Sequence, residues 1–300
     1  MSFNKIYVLG AGAIGSVYGA FLSKNNDVTI IGNKAHVEAV NSRGLSISGA
    51  INGTFYPKAK SVIDDIPEKT LIILTTKAYD SVSAVKNIKN LLKSDTVILV
   101  LQNGLGNEEL VKEAVEGKAK VLRGLTTMAA EFFEPGKVKF WNGETIVEAN
   151  STSKMIAETF VKCGLKVQVS DNIKFEVWKK LVVNCVVNPL TAIFQVRNCE
   201  ILSDVLSQVR REIVEECVKV GKAEGINFPS NLYEKINEEI AGYTNFSSMC
   251  QDIMKGRKTE IEFLNGKIVE LGKKHGVPTP INDVVFHFVK FLEEKHGIRK

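Results

Sequence analysis

"KIYVLGAGAIGSVYG", residues 5–19, reads as a strand, a glycine turn and the start of a helix in direct succession. Residues 5–10 are a short apolar run, rich in β-branched and aromatic side chains and ending in glycine, as in a parallel strand buried on both faces. Gly10, Gly12 and Gly15 then form GxGxxG at the head of a helical pattern that runs from about Ile14 to Lys24. The three glycines answer different needs. The first permits a tight turn, the second lets backbone approach a pyrophosphate, and the third allows close helix packing. The N–H groups of the first helical turn would face the phosphates. A glycine-rich turn without a ligand is the alternative, but its place between strand and helix favours a dinucleotide site.

Working outward, "DVTIIG" (27–32), "KTLIILTT" (69–76), "DTVILVLQN" (95–103) and "KVLRGLTTM" (120–128) read as further strands. Helical stretches lie between several of them, at 36–44, 81–92 and 107–115. This alternation predicts a doubly wound parallel sheet. "GKVKFWNGETIVEAN" (136–150) has hairpin chemistry, with Asn142-Gly143 as the expected turn, and a last helix and strand close the domain near residue 170. From Ile173 onward apolar residues recur at helical spacing, with Pro or Gly between segments. The expected architecture is therefore an α/β N-terminal domain of Rossmann type (1–170) and an all-α C-terminal domain (171–300). No Pro/Gly/Ser-rich linker joins them, so close packing around a cleft is expected.

Composition narrows the function classes. With 300 residues, 44% hydrophobic and 24% charged, the chain can bury a sizeable core. No leader pattern and no 18-residue uncharged apolar segment is present, so a cytoplasmic protein without membrane association is expected. Five scattered cysteines argue against a disulfide framework or a metal site. The net charge of +5 is mild and lacks basic runs interleaved with aromatics, which argues against nucleic acid and suits a small anion. The apolar C-terminal "FHFVKFLEE" can pack internally or across a homodimer interface, and both readings stay open.

Two polar features stand out. The second strand ends in "IIGNKAH", with no carboxylate where an NAD site usually has one. NADPH is thus the expected cofactor, with Asn33 and Lys34 as phosphate contacts; a solvated Lys34 and use of NADH is the other reading. In "KKLVVNCVVNPL" (179–190), Lys180, Asn184 and Asn188 recur every fourth residue and form one polar stripe on an otherwise apolar helix. Pro189 is expected to kink or end that helix just after Asn188. A buried lysine or asparagine needs partners, and an anionic, oxygen-rich ligand would supply them. A lysine snorkelling to solvent and asparagines capping loops are the alternatives.

"GAGAIGSVYG", "TTKAYD" (75–80), "LQNGLGNEE" (101–109), "EVWKKLVVNCVVNPLTAI" (176–193) and "SSMCQDIMKGRKTEIEFLNGKIVELGKKHGVPTPIN" (247–282) together resemble the ketopantoate reductase (2-dehydropantoate 2-reductase) family of pantothenate and coenzyme A biosynthesis. The resemblance covers nearly the whole chain. It implies NADPH-dependent reduction of 2-dehydropantoate (ketopantoate) to (R)-pantoate, with Lys180 as proton donor and Glu260 as the acid that closes the site; a reductase of another 2-keto acid on the same scaffold, or a non-catalytic NADP-binding sensor, is the alternative. Asn184, Asn188, Asn198, Asn103 and Ser248 match substrate-binding positions. To the cofactor contacts read from the residues themselves, Gly10, Ala11, Gly12, Ala13, Ile14 and Gly15 with Asn33 and Lys34, the resemblance adds Lys77, Asn103, Ala130 and Glu260. Family members often carry arginine where Asn33 stands, and a histidine where Phe140 stands. Two capping boxes, "TEIE" at 259–262 and "SMCQ" at 248–251, are the alternative for the last block; in the functional reading Gly256 breaks the helix between them, letting Ser248 and Glu260 reach one site.

Overall fold

The computed structural model describes residues 2–298. The chain forms two compact units: residues up to 102 with 106–173, and 103–105 with the residues from 174 onward. The first unit runs β1 (Lys5–Leu9), α1 (Ala13–Leu22), β2 (Val28–Ile31), α2 (Lys34–Arg43), β3 (Leu45–Gly49), β4 (Gly53–Phe55), β5 (Lys58–Lys60) and β6 (Thr70–Leu74). It continues with α3 (Ser81–Ile88), β7 (Val97–Val100), α4 (Asn107–Val115), β8 (Lys120–Thr126), β9 (Ala129–Glu134), β10 (Lys137–Asn142), β11 (Thr145–Glu148), α5 (Ser153–Lys162) and β12 (Val167–Ser170).

Eight strands form one sheet in the order β12-β11-β8-β7-β6-β1-β2-β5, parallel from β5 to β8. Strand order reverses between β1 and β6, the switch point at which open α/β sheets bind ligands. Alternation along β1 supplies both faces: Ile6 and Val8 join the core around α1, while Tyr7 and Leu9 join Val85 of α3 and Val111 of α4. A second sheet, β4-β3-β10-β9, contributes Leu45, Ile47, Val138 and Phe140 to the α1 side. Covered on both sides, α1 is buried from Gly15 to Leu22, which is why "AIGSVYGAFL" is apolar all round rather than amphipathic.

The expected hairpin at Asn142-Gly143 does not form. β10 pairs antiparallel with β9 and parallel with β3, and the tight reversal is at Pro135-Gly136, where Gly136 has φ +80. β11 instead pairs with β8 and β12 in the large sheet. Gly143 serves the passage between sheets: a Cβ there would lie 2.4 Å from the Met128 Cα. The glycine answers a close backbone approach and not a two-residue turn.

The second unit contains α6 (Ile173–Phe194), α7 (Ser207–Ala223), α8 (Leu232–Ala241), α9 (Ser248–Met254), α10 (Asn265–His275) and α11 (Pro280–Lys295). Its core gathers Trp178, Leu181, Val182, Val186 and Leu190 of α6 with Ile213, Val220, Ile236, Ile268 and Val289. α6 is long and apolar enough to cross a membrane by length and composition, yet 72% of its most apolar window is buried in this core. On α11, Val285 and Val289 are buried while Val284, Phe288 and Phe291 are exposed, so the helix packs inward and keeps an apolar outer face. The inclusion of 103–105 in this unit departs from a division at residue 170. A hydrogen bond from the Leu105 N–H to the Phe263 carbonyl (3.2 Å) ties that segment to the helices.

Of the two outcomes expected at Pro189, a kink or an end, the end does not occur: α6 runs on to Phe194. Proline removes the N–H that would reach the Cys185 carbonyl. The Asn265 side chain supplies a donor instead, Nδ2 reaching that carbonyl at 3.0 Å. A distant carboxamide thereby meets a backbone group that would otherwise be buried without a donor.

Candidate active site

The glycine turn is built as its spacing requires. Gly10 has φ +111, and a Cβ on it would lie 2.4 Å from the Thr76 backbone nitrogen; one on Gly15 would lie 2.2 Å from the Gly10 carbonyl oxygen. Gly12 differs: a Cβ there meets nothing within 4 Å. It is the N-cap of α1, with no side-chain cap and no acidic residue in the first turn. The first turn, made by Ala13, Ile14 and Gly15, thus begins with N–H groups that the Gly12 N-cap leaves without a side-chain partner. Among these residues the chemistry fits a dinucleotide pyrophosphate.

Around this turn, the Thr75 hydroxyl donates to the Gly10 carbonyl (2.9 Å) and Lys77, half-buried, leads into a 3₁₀ turn at Ala78–Asp80. The Gln102 side chain donates to Ser81 (2.9 Å) and Thr76 (3.2 Å), so the loops after β6 and β7 are tied together. Beyond β2, Asn33 Oδ1 caps α2 by accepting from the His36 N–H at 2.9 Å. That use leaves its Nδ2 as a donor, beside the exposed Lys34, which makes a loose ion pair with Glu38 at 3.9 Å. His36 is buried; Nδ1 accepts from the Gly136 N–H (3.0 Å), so Nε2 carries the proton toward the Ser16 hydroxyl (3.1 Å). Burial lowers its pKa, which favours this neutral form. Ala130 lies on β9, opposite Phe140.

In the helical unit, Lys180 is half-buried on α6 and its Nζ donates to Asn103 Oδ1 at 2.8 Å. One turn apart along the same stripe, Asn184 is half-buried and Asn188 buried. The 103–105 segment is shaped for this contact. Gly104 has φ +84, and a Cβ on it would lie 2.3 Å from the Phe263 carbonyl oxygen, so only glycine lets the two backbones meet. The same contact brings Asn103 to the 260–263 segment that begins with the buried Glu260.

The two capping boxes of the alternative reading are absent in that form. Ser247, not Ser248, caps α9, its hydroxyl accepting from the Cys250 N–H at 3.0 Å, and Ser248 is left exposed. The Thr259 hydroxyl donates to Glu293 (2.7 Å), and Glu262 pairs with Lys290 (3.0 Å) instead of reaching back. Gly256, at φ +60, follows the end of α9 as expected. Ser247 also bonds Thr191 of α6 (2.7 Å), which fixes the N-terminus of α9 against the turn after Asn188. Asn198 opens a 3₁₀ turn; its N–H donates to the Asn245 carbonyl (3.0 Å), and its buried Oδ1 has no protein donor among the described residues.

Three positioning residues escape a reading of the sequence alone: Asn265, Thr191 and Arg123. Arg123 is buried on β8 and donates to the Val100 and Gln102 carbonyls (3.1 and 2.9 Å), fixing the strand end from which Asn103 departs. Burial pushes its pKa down to about 10, which leaves it cationic at neutral pH. Its signal is nonetheless present, a lone arginine inside the apolar "KVLRGLTTM".

Residues 6–151 match the family model for ketopantoate reductase PanE/ApbA, and 172–293 match that for the ketopantoate reductase PanE/ApbA C terminal. A 2-dehydropantoate 2-reductase of Pyrococcus horikoshii is 39% identical over 303 residues, covering 98% of this chain and 99% of the relative. Among solved structures, a PanE/ApbA family ketopantoate reductase from Ralstonia eutropha JMP134 superposes with a TM-score of 0.90 at 30% identity, covering 98% of this chain and 99% of that one. The ternary structure of D-mandelate dehydrogenase with NADH and anilino(oxo)acetate gives 0.88 at 31% identity, with the same coverage. With both family models and a relative aligned over nearly its full length, the chain belongs to the ketopantoate reductase PanE/ApbA family of oxidoreductases.

Proposed function

We propose that this protein reduces 2-dehydropantoate to (R)-pantoate with NADPH, in the service of pantothenate and coenzyme A biosynthesis. The reduced dinucleotide, when bound, supplies a hydride from C4 of its nicotinamide to the C2 ketone of the keto acid. Gly10 to Gly15 hold the pyrophosphate through backbone N–H groups, and Lys77 and Ala130 complete the cofactor contacts. Asn33 Nδ2 and Lys34 take the 2′-phosphate, since no carboxylate stands at the end of β2 to repel it.

Lys180 acts on the oxygen of the ketone. Its ammonium stabilises the negative charge that develops there and delivers the proton that completes the alcohol. Asn103 orients that ammonium through the 2.8 Å hydrogen bond from Nζ. Asn184, Asn188, Asn198 and Ser248 hold the carboxylate and hydroxyls of the substrate; the Asn198 oxygen, buried without a protein donor among the described residues, is suited to a substrate O–H. Glu260 accepts from the substrate hydroxyl and the cofactor ribose.

The observation that carries this reading is a half-buried lysine on an apolar helix, engaged by a carboxamide and followed by two asparagines on its own stripe. A second reading, reduction of an aromatic 2-keto acid with NADH, is favoured by the similarity to D-mandelate dehydrogenase solved with NADH. Steady-state reduction of ketopantoate and benzoylformate, each with NADPH and NADH, separates the two. Highest catalytic efficiency with ketopantoate and NADPH is expected. A preference for benzoylformate overturns the substrate, and a preference for NADH overturns the cofactor.

A further inference from the structure

α6 must carry Lys180, Asn184 and Asn188 across a proline, and the helix stays continuous there. Cys185, whose carbonyl loses its N–H partner to Pro189, lies between the two asparagines of the stripe. Any unwinding at that carbonyl rotates Asn188 relative to Asn184 and Lys180, because each residue of a helix turns its side chain by about 100°.

The carbonyl is met by a relay that runs through three other helices. Asn265, the first residue of α10, is fully buried and directs both amide hydrogens: one to the Cys185 carbonyl (3.0 Å), one to Asn282 Oδ1 (2.9 Å). Asn282, on α11, donates in turn to the Glu216 carboxylate of α7 at 2.7 Å. Glu216 also accepts the Ile281 and Asn282 backbone N–H groups (both 2.9 Å), an anion at the N-terminus of α11. The Asn265 oxygen has no protein donor among the described residues. A buried carboxamide that leaves its oxygen unmet is kept for its donors, and one of the two ends on the proline gap.

We propose that Asn265 is a positioning residue for the keto-acid site: it replaces the hydrogen bond that Pro189 cannot make and so sets the winding of α6 between Asn184 and Asn188. The inference rests on the reading that those asparagines bind substrate. Four proteins test it: wild type, Asn265→Ala, Pro189→Ala and the double variant. Alanine at 189 restores a backbone N–H to the Cys185 carbonyl, so it relieves the need for Asn265 there. For Asn265→Ala alone, the keto-acid KM should rise about tenfold, the factor that one lost buried hydrogen bond corresponds to, with NADPH affinity unchanged. In the double variant the KM should return to that of Pro189→Ala.

An unchanged KM in Asn265→Ala, or an equal rise in both backgrounds, overturns the proposal. If Asn265→Ala fails to fold, the double variant compared with Pro189→Ala decides by the same criterion. If the wild-type protein reduces no keto acid, the functional reading falls separately, and melting of the four ligand-free proteins judges the hydrogen bond. Partial recovery in the Pro189→Ala background supports it, because the bond to Asn282 stays lost; equal loss in both backgrounds overturns it.

Discussion

Replacing Gly12 and Gly15 by alanine should separate cofactor binding from folding within one motif. At Gly12, φ −78 and ψ −157 suit any residue, and a Cβ meets nothing within 4 Å. Two small effects oppose there: removing a glycine from the unfolded chain stabilises by about 0.4–1 kcal/mol, while alanine is a poorer N-cap by about the same amount. Melting of Gly12→Ala should therefore stay close to wild type. The methyl group, however, stands over the first turn of α1, where the pyrophosphate would approach. Losing one or two hydrogen bonds to a charged group, at about 1.5–3 kcal/mol each, weakens dinucleotide binding by ten- to a thousand-fold or more. At Gly15 a Cβ would sit 2.2 Å from the Gly10 carbonyl oxygen and 2.7 Å from Thr75 Oγ1, neither at the end of a flexible chain. Backbone must move, at a cost of about 2–4 kcal/mol, and the melting temperature should fall by several degrees. Calorimetric titration with NADPH and thermal melting of both variants provide the readouts. Dinucleotide binding by Gly12→Ala as tight as wild type would remove the turn from the cofactor site, and a Gly15→Ala protein as stable as wild type would show that the helix does not need glycine there.

Three further outcomes are expected. Glu260→Ala should raise the keto-acid KM about ten- to a hundred-fold, the loss expected for a hydrogen bond to a carboxylate; steady-state kinetics with varied ketopantoate checks it. Lys34→Ala should weaken NADPH several-fold and leave NADH unaffected, an exposed charge contributing about 1 kcal/mol to a phosphate contact; the ratio of the two dissociation constants is the measurement. The Glu224 carboxyl is held below its usual range of about 4.5, chiefly by its hydrogen bond to His275 and also by Lys274. A lowered folded-state pKa contributes stability above the unfolded value that is lost as pH falls through the folded one. Glu224→Gln should thus melt earlier at pH 7, by the equivalent of at most about 1 kcal/mol, and the difference should vanish under acid conditions below that range.

The glycine turn and the alternating strands were legible because each is a local pattern: the spacing of Gly10, Gly12 and Gly15 answers contacts within the turn and with one neighbouring loop. The small sheet was not. β3 pairs with β10 across the sequence, and nothing in "LSISG" or "KVKFWN" announces its partner. Asn142-Gly143 misleads because a glycine needed for close approach to Met128 looks the same as one needed for a turn. The polar stripe of Lys180, Asn184 and Asn188 was visible from helical spacing, but its continuity across Pro189 was hidden, since the substitute donor lies 80 residues from the carbonyl it meets. Ser247 and Ser248 were indistinguishable as caps in "SSMC"; the hydroxyl of Thr191 selects Ser247.

In the proposed reaction the Lys180 ammonium completes the reduction. Single-turnover oxidation of NADPH by Lys180→Ala with saturating ketopantoate tests it most directly. The rate should be lower by about a hundred-fold or more, with NADPH affinity as in the wild type. A wild-type rate in that variant would contradict it.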